Sequence, residues 1–248
     1  MQRFRRPLLV LLLLAAGGVA LPRAAFAQAS AGAPGAPAGC GTLSSEAIAA
    51  RVQQRYDSIR RLSARFVQST QSVVMSAGAS PGGEGADSVS RGRVYFAKPG
   101  RMRWEYLEPA ESYVISDGKV LWIFDVAARQ VTRLPVGQEV LAGAALQFLL
   151  GEGRLLDSFE VAIARCTPDR AELELRPREP TSYERLGLTV ERESGLAVET
   201  SVIDLFGNRT RIRFEGIELD QPSPPGAFDF EPPAGVEVID VRSAEQGG

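Results

Sequence analysis

The sequence contains no histidine and only two cysteines. The missing imidazole excludes histidine-based catalytic triads, histidine metal ligands and imidazole proton shuttles. The sequence also has no glycine-rich phosphate loop. Acidic pairs such as Glu172 and Glu174 fall at strand spacing among arginines, which is typical of a solvated sheet face. We therefore expect a protein that is not an enzyme and that binds neither a metal nor a cofactor.

Long apolar runs are also missing, with one exception at the start of the chain. Leu8–Leu21 is apolar, follows three arginines and precedes Ala25-Phe26-Ala27, a small-x-small cleavage site. This pattern predicts a signal peptide over residues 1–27, cleaved after Ala27. A run of about 14 residues is short for a membrane anchor, which needs about 20. We expect export, and two cysteines in an oxidising compartment make a poor nucleophile or metal site.

Cleavage would remove four arginines and leave 24 basic against 30 acidic residues, a net charge of about −6. That balance argues against nucleic acid and against an anionic membrane surface as partners. Residues 28–41 are rich in alanine, glycine and proline, which predicts a flexible leader. Residues 42–248 suit a single domain with a sizeable core.

The two cysteines are Cys40 and Cys166. An even count in an exported chain favours a disulfide between them. Spacing alone does not establish the geometry, so two unpaired thiols remain an alternative. Acylation of Cys40 is a third interpretation, which Pro37 and the distance from the apolar run count against.

Hydrophobic periodicity predicts two helices among many strands. Ser45–Arg60 has N-cap oxygens before it and apolar residues at helical spacing, and Gln138–Leu150 is a second apolar helix that Gly151 ends. Asp117-Gly118 predicts a tight hairpin, and residues 77–87 predict a long hairpin loop. About ten strands with two helices indicate a mainly β protein, an antiparallel sheet that curls on itself.

The placement of the aromatic side chains is the main functional signal. Met102, Trp104 and Tyr106 alternate with charged residues and share one strand face, while Trp122 and Phe124 lie in the next hairpin. These side chains could fill an ordinary barrel core. Alternatively, the concave face could be too wide for its own side chains and receive an apolar ligand. Periodicity does not separate the two interpretations.

Five motifs in order carry a resemblance to a known family: ARFVQST, GRVYFAKPGRMRWEY, SDGKVLWIFD, FLLG and FDFEPPAGVEV. Together they resemble the outer-membrane lipoprotein carrier protein family, LolA, over about Ser44 to Val241. The resemblance implies an incomplete, strongly curved antiparallel β-barrel whose helices form a lid over the concave apolar face. It also implies a monomer in the periplasm.

The family resemblance further implies a function and partners. Members take lipoproteins from an inner-membrane lipoprotein-releasing ABC transporter, shield the acyl chains while crossing the periplasm, and pass them to an outer-membrane receptor. The implied acyl-chain cavity has seven residues: Met102, Trp104, Tyr106, Trp122, Phe124, Phe148 and Leu149.

Lys98 departs from the family pattern. Members of the family carry arginine before the proline of this turn, where it hydrogen-bonds to the lid, and Gln138–Leu150 is the implied lid segment. Lysine keeps the charge but lacks the planar fork of donors, so a latch at Lys98 would differ in strength.

Two other classes of function remain open. The related outer-membrane receptor has a similar barrel and is anchored by an acylated N-terminal cysteine. A periplasmic sensor or regulatory domain could use the same half-barrel to bind a protein partner.

Overall fold

A computed structural model describes residues 40–73, 88–136 and 153–241, which form one twelve-stranded sheet and two helices. The helices are α1 (Ser45–Ser58) and α2 (Leu155–Ser158). The strands are β1 (Arg61–Gln71), β2 (Ser88–Ala97), β3 (Arg101–Glu108), β4 (Ser112–Asp117), β5 (Val120–Asp125), β6 (Gln130–Pro135), β7 (Phe159–Cys166), β8 (Arg170–Pro177), β9 (Tyr183–Glu191), β10 (Ala197–Asp204), β11 (Arg209–Leu219) and β12 (Glu237–Asp240). The predicted signal peptide, nearly all of the leader, the 77–87 loop and the second helix Gln138–Leu150 lie outside the described residues.

The strand order is β12-β6-β5-β4-β3-β2-β1-β11-β10-β9-β8-β7. Each strand of β1–β6 and of β7–β11 pairs with its neighbour in the chain, and β1 pairs with β11. Two antiparallel meanders, β1–β6 and β7–β11, therefore meet at the centre of the sheet. The predicted mainly β, open and curved sheet is confirmed. It has twelve strands rather than about ten, and β12 pairs with β6 in parallel at one edge.

Helix α1 forms where the sequence predicts it. The Ser44 hydroxyl accepts a hydrogen bond from the Ala47 amide at 3.2 Å, which caps the first turn. The side chains at helical spacing that face the sheet are Ile48, Ala49, Val52 and Tyr56, each 3 % exposed or less. The helix ends at Ser58 rather than near Arg60, because Ile59 is already extended and leads into β1.

Pairing register divides the sheet into two faces. Residues directly opposite each other in an antiparallel pair point to the same side. Phe66 of β1 is opposite Gly92 of β2, and Gly92 is opposite Tyr106 of β3. We call the side of Phe66 and Tyr106, which packs against α1, the inner face. The other side is the outer face.

Gly92 marks a close approach between β2 and β3. A Cβ atom there would lie 1.8 Å from the main-chain oxygen of Glu105, so any larger residue would force the strands apart. The register between the two strands shifts at this point. The resulting bulge contributes to the local bend of the sheet.

Residues 221–236 follow β11 and cross the outer face of the first meander; we call them the strap. Arg103 donates to the main-chain oxygen of Ala227 at 3.4 Å, and the Arg101 guanidinium lies 5.4 Å from the ring centroid of Phe228. The strap then continues into β12 on β6, with Arg129 donating to the oxygen of Gly235 at 3.3 Å. Strand β12 was not predicted from the sequence; its two apolar residues are adjacent and lie between Glu237 and Asp240.

Candidate functional site

Five aromatic rings gather on the inner face of β1–β3 and β11, and we call them the inner cluster: Phe66, Phe96, Trp104, Tyr106 and Phe214. Trp104 is at the centre, with ring centroids 4.8 Å from Phe66, 5.9 Å from Phe96 and 6.3 Å from Phe214. Edge-to-face contacts of this kind add to the free energy of apolar burial. The cluster is therefore the aromatic centre of the inner face.

Three predicted site residues lie together on this face. Met102 is 2 % and Trp104 is 4 % exposed, while Tyr106 is half-buried. The Tyr106 hydroxyl donates to the Gln68 side-chain oxygen at 3.0 Å, and burial raises the pKa of Tyr106. The polar end of this ring thus has a partner, as a half-buried phenol requires.

Two other predicted residues, Trp122 and Phe124, do not join them. Trp104 is opposite Val114, and Val114 is opposite Ile123, so the inner face of β5 carries Ile123. Trp122 and Phe124 alternate with Ile123 and therefore point to the outer face. The prediction that they line a cavity with Trp104 is wrong. Side chains alternate along a strand, and the pairing register places Trp122 and Phe124 on the outer face.

The outer side chains form a second aromatic group, the outer cluster, of Tyr113, Trp122, Phe124 and Phe230. The strap residue Phe230 lies 6.1 Å from Trp122 and 5.9 Å from Phe124, and Tyr113 stacks on Phe124 at 6.1 Å. The hydrogen bond from Tyr113 to Glu111 raises the pKa of Tyr113 to about 12. The strap therefore covers these rings.

The remaining predicted cavity residues, Phe148 and Leu149, belong to the predicted lid segment and lie outside the described residues. Many residues of the inner face were not predicted from the sequence. The second meander contributes four leucines that are 2 % exposed or less: Leu173, Leu175, Leu186 and Leu188. In β8 the leucines alternate with glutamates, and in β9 they flank Gly187, a period-two signal that was available in the sequence.

Helix α1 is fastened to the rest of the fold at several points. Cys40, just before the helix, is joined to Cys166 at the end of β7 by a disulfide with a Cα–Cα distance of 5.3 Å. The Tyr56 hydroxyl accepts from the Ala197 amide at 3.2 Å, and the Gln53 side-chain oxygen accepts from the Leu155 amide at 2.9 Å. These attachments hold α1 in place over one end of the inner face.

Lys98 provides another attachment at the end of α1. Its ammonium group donates to the main-chain oxygen of Tyr56, one of the last-turn carbonyls that a helix leaves unpaired. Burial lowers the pKa of Lys98, and the nearby carboxylates of Asp57 and Asp220 oppose that shift. The predicted latch to Gln138–Leu150 lies outside the described residues; the partner that the structure shows is α1.

Within residues 40–73, 88–136 and 153–241, no group of three acidic or cysteine side chains is placed to hold a metal ion. In the same ranges, no helix is long and apolar enough to cross a bilayer.

Fold and site together define a class: an open, curved sheet whose apolar, aromatic inner face is covered at one end by a helix. Residues 57–231 match the family model for the outer membrane lipoprotein carrier protein LolA. The chain belongs to the LolA family.

Curated relatives agree with that assignment. The chain is 34% identical over 198 residues to the outer-membrane lipoprotein carrier protein of Alkalilimnicola ehrlichii, an alignment that covers 79% of this chain and 85% of the relative. It is 35% identical over 154 residues to the carrier protein of Methylibium petroleiphilum, covering 60% and 72%. These alignments confirm the family that the five sequence motifs indicated.

Solved structures are similar at lower identity. A LolA superfamily protein from Nitrosomonas europaea aligns with a TM-score of 0.41 and 14% identity, covering 75% of this chain and 97% of that one. An uncharacterised conserved protein from Thermus thermophilus aligns with a TM-score of 0.49 and 13% identity, covering 79% and 98%.

Proposed function

We propose that this protein is a periplasmic lipoprotein carrier that binds acyl chains against the inner face. The observation that carries the proposal is the inner cluster, a set of packed aromatic rings within a family whose curated members are named as lipoprotein carriers. An acyl chain is an apolar rod, and aromatic and aliphatic walls are the surface that such a ligand needs. The protein would act without catalysis.

Energetics favour a carrier that opens only when it is loaded. A sixteen-carbon chain has about 15 methylenes, worth roughly 12 kcal/mol in water-to-apolar transfer before other costs. A permanently open groove would hold the chain too tightly to release it. Because Trp104 is only 4 % exposed, an entering chain must first displace contacts that close the inner face. That displacement lowers the net affinity and keeps binding reversible.

The fixed position of α1 indicates which part must move. The Cys40–Cys166 disulfide and the Tyr56 hydrogen bond tie it to the sheet, and the Gln53 hydrogen bond ties it to α2. We therefore assign the moving cover to the predicted lid segment Gln138–Leu150, including Phe148 and Leu149. Residues 1–27 would be removed on export, residues 28–41 would form a leader, and 42–248 would act as one domain. The partners would be an inner-membrane lipoprotein-releasing ABC transporter and an outer-membrane receptor.

The chain's two tryptophans offer a direct test, because Trp104 lies on the inner face and Trp122 on the outer face. In Trp122→Phe, the only remaining reporter is Trp104; in Trp104→Phe, it is Trp122. Adding a detergent-free triacylated lipoprotein should shift the emission of Trp122→Phe and leave that of Trp104→Phe unchanged.

A matched tyrosine pair extends this test to affinity. Tyr106→Ser removes a ring from the inner face and should weaken acyl binding about tenfold, from the lost apolar contact area. Tyr113→Ser removes a ring from the outer cluster and should leave binding unchanged. An emission shift confined to Trp122, or equal losses in both tyrosine variants, would contradict the assignment of the acyl site to the inner face.

A further inference from the structure

The turn between β10 and β11 exposes two large apolar side chains. Phe206 is 84% and Leu205 is 65% exposed, the two highest values among large apolar residues of the described ranges. Val73, 48% exposed, lies beside the same turn: a Cβ on Gly207 would be 3.2 Å from its Cγ2 atom. We call Val73, Leu205 and Phe206 the apolar tip. Together they form a projecting apolar surface at one rim of the half-barrel.

Hydrogen bonds fix the turn that carries the apolar tip. One oxygen of the Asp204 carboxylate accepts from the amides of Phe206 and Asn208, each at 2.9 Å, and the other accepts from the Asn208 side chain at 2.8 Å. These bonds lower the pKa of Asp204, with the Asn208 side chain as the largest cause. Asn208 also accepts from the Val73 amide at 3.1 Å. The turn therefore holds Leu205 and Phe206 outward in a defined conformation.

Arginines lie directly behind the tip on the outer face. Arg185 of β9 and Arg209 of β11 are both opposite Ile203 of β10, and Arg211 follows Arg209 on the same face. Arg185 pairs with Glu174 at 3.2 Å and Arg211 with Glu199 at 3.3 Å. Within the described part of the chain, no ion pair forms on Arg209.

These arginines belong to a larger basic surface. A groove of about 820 Å³ on the second meander is lined by six arginines and three glutamates, an excess of three positive charges. The whole chain has a net negative charge, so this surface is more basic than the chain as a whole. Net charge argued against an anionic membrane surface as a partner, but only the local charge acts on a partner within a Debye length of about 8 Å.

We propose that the apolar tip docks the protein on an anionic phospholipid bilayer, with Leu205 and Phe206 in the interface and Arg185, Arg209 and Arg211 against the headgroup phosphates. Interfacial side chains enter about 5 to 10 Å below the headgroups. Arg209 is three residues from Phe206, so the two lie at most about 10 Å apart along the chain and Arg209 would reach headgroup level. Arg211 would be about 7 Å higher, still within a Debye length.

A bilayer suits this surface better than a protein partner does. A stable protein interface buries about 800 Å² on each partner around a packed centre, whereas this tip consists of three side chains. Lipid accommodates single apolar side chains without a matching pocket. The inference goes beyond acyl-chain carriage and does not depend on it, since the tip and the inner cluster share no residue.

The test is vesicle co-sedimentation of the chain from residue 28 onward, without any lipoprotein. Vesicles of phosphatidylcholine with phosphatidylglycerol should bind the protein, and vesicles of phosphatidylcholine alone should bind it at least tenfold more weakly. Leu205→Ser with Phe206→Ser should lower binding about tenfold or more, from the lost apolar burial. Arg209→Gln should lower it about fivefold.

Matched controls lie on β12 and β6, at one edge of the sheet and away from the β10–β11 turn. Val238→Ser with Ile239→Ser removes two exposed apolar residues of β12, and Arg133→Gln removes an exposed arginine of β6; both should bind vesicles like the unchanged protein. Failure to bind anionic vesicles, or equal losses in the tip and β12 variants, would overturn the proposal. Circular dichroism checks that each variant folds, and an unaltered Trp104 response to lipoprotein in the tip variant separates this result from a failure of the carrier proposal.

Discussion

The inner and outer clusters contain the same kinds of residue and differ in what covers them. Trp104 of the inner cluster is held among the rings of Phe66, Phe96 and Phe214, on the face that α1 covers. Trp122 of the outer cluster is held mainly by Phe230 of the strap. An aromatic residue on a strand therefore indicates that something covers it, and that cover can be the chain's own C-terminal segment as readily as a ligand.

The two covers also differ in how they are attached. A disulfide, several hydrogen bonds and Lys98 fasten α1, whereas the strap is held by single arginine bonds and a four-residue parallel strand. Helix α1 is therefore more firmly anchored than the strap. The following measurements test this difference in attachment.

The largest expected effect is that of the Cys40–Cys166 disulfide, which anchors α1. Replacing both cysteines with serine should lower the free energy of unfolding by on the order of 4 to 5 kcal/mol, because the bond closes a loop of 126 residues in the unfolded chain. Hydrogen exchange should speed up in α1 and stay unchanged in β12. Thiol titration of the unfolded, unreduced protein should find no free thiol, and two free thiols would contradict the pairing.

The second measurement compares the tryptophans themselves. Trp104→Ala should cost about 3 to 5 kcal/mol of stability, since it leaves a cavity among packed rings. Trp122→Ala should cost about 1 to 2 kcal/mol, because its ring is only half-buried beneath the strap. Chemical denaturation of both variants gives the comparison. Equal losses of stability would show that Trp122 packs as firmly beneath the strap as Trp104 does among the rings of the inner cluster.

The smallest effect concerns Lys98 and the end of α1. Lys98→Met should cost about 1 kcal/mol, because it leaves the main-chain oxygen of Tyr56 without its hydrogen-bond donor. Lys119→Met, at an exposed turn, is the control and should cost nothing measurable.

Lys98 also predicts a pH dependence. Because the folded pKa of Lys98 is lowered, the unfolded chain holds this proton to higher pH than the folded chain does. The Lys98 contribution to the free energy of unfolding should therefore rise with pH up to about 10.5, the unfolded value. Denaturation across that window should show this slope in Lys119→Met and its loss in Lys98→Met. The same slope in both variants would exclude Lys98 as its source.

Most of the fold was readable from the sequence because its signals are local. Strand alternation and turn residues predicted about ten strands, and the structure has twelve in its described part. The start of α1 followed from its capping residues. The strand β12 was missed because four residues that pair with β6 only after a long strap give a weak local pattern.

The candidate site was less predictable, since it depends on register and on distant contacts. The sequence by itself determined that Met102, Trp104 and Tyr106 share a face, because side chains alternate along any strand. It could not determine that Trp122 and Phe124 lie on the opposite face. That side depends on how β3, β4 and β5 pair, and a shift of one residue would reverse it. Only the tertiary structure brought Phe214 to Trp104 and Tyr56 to Lys98, because these residues are distant in the chain and meet only when the sheet is assembled.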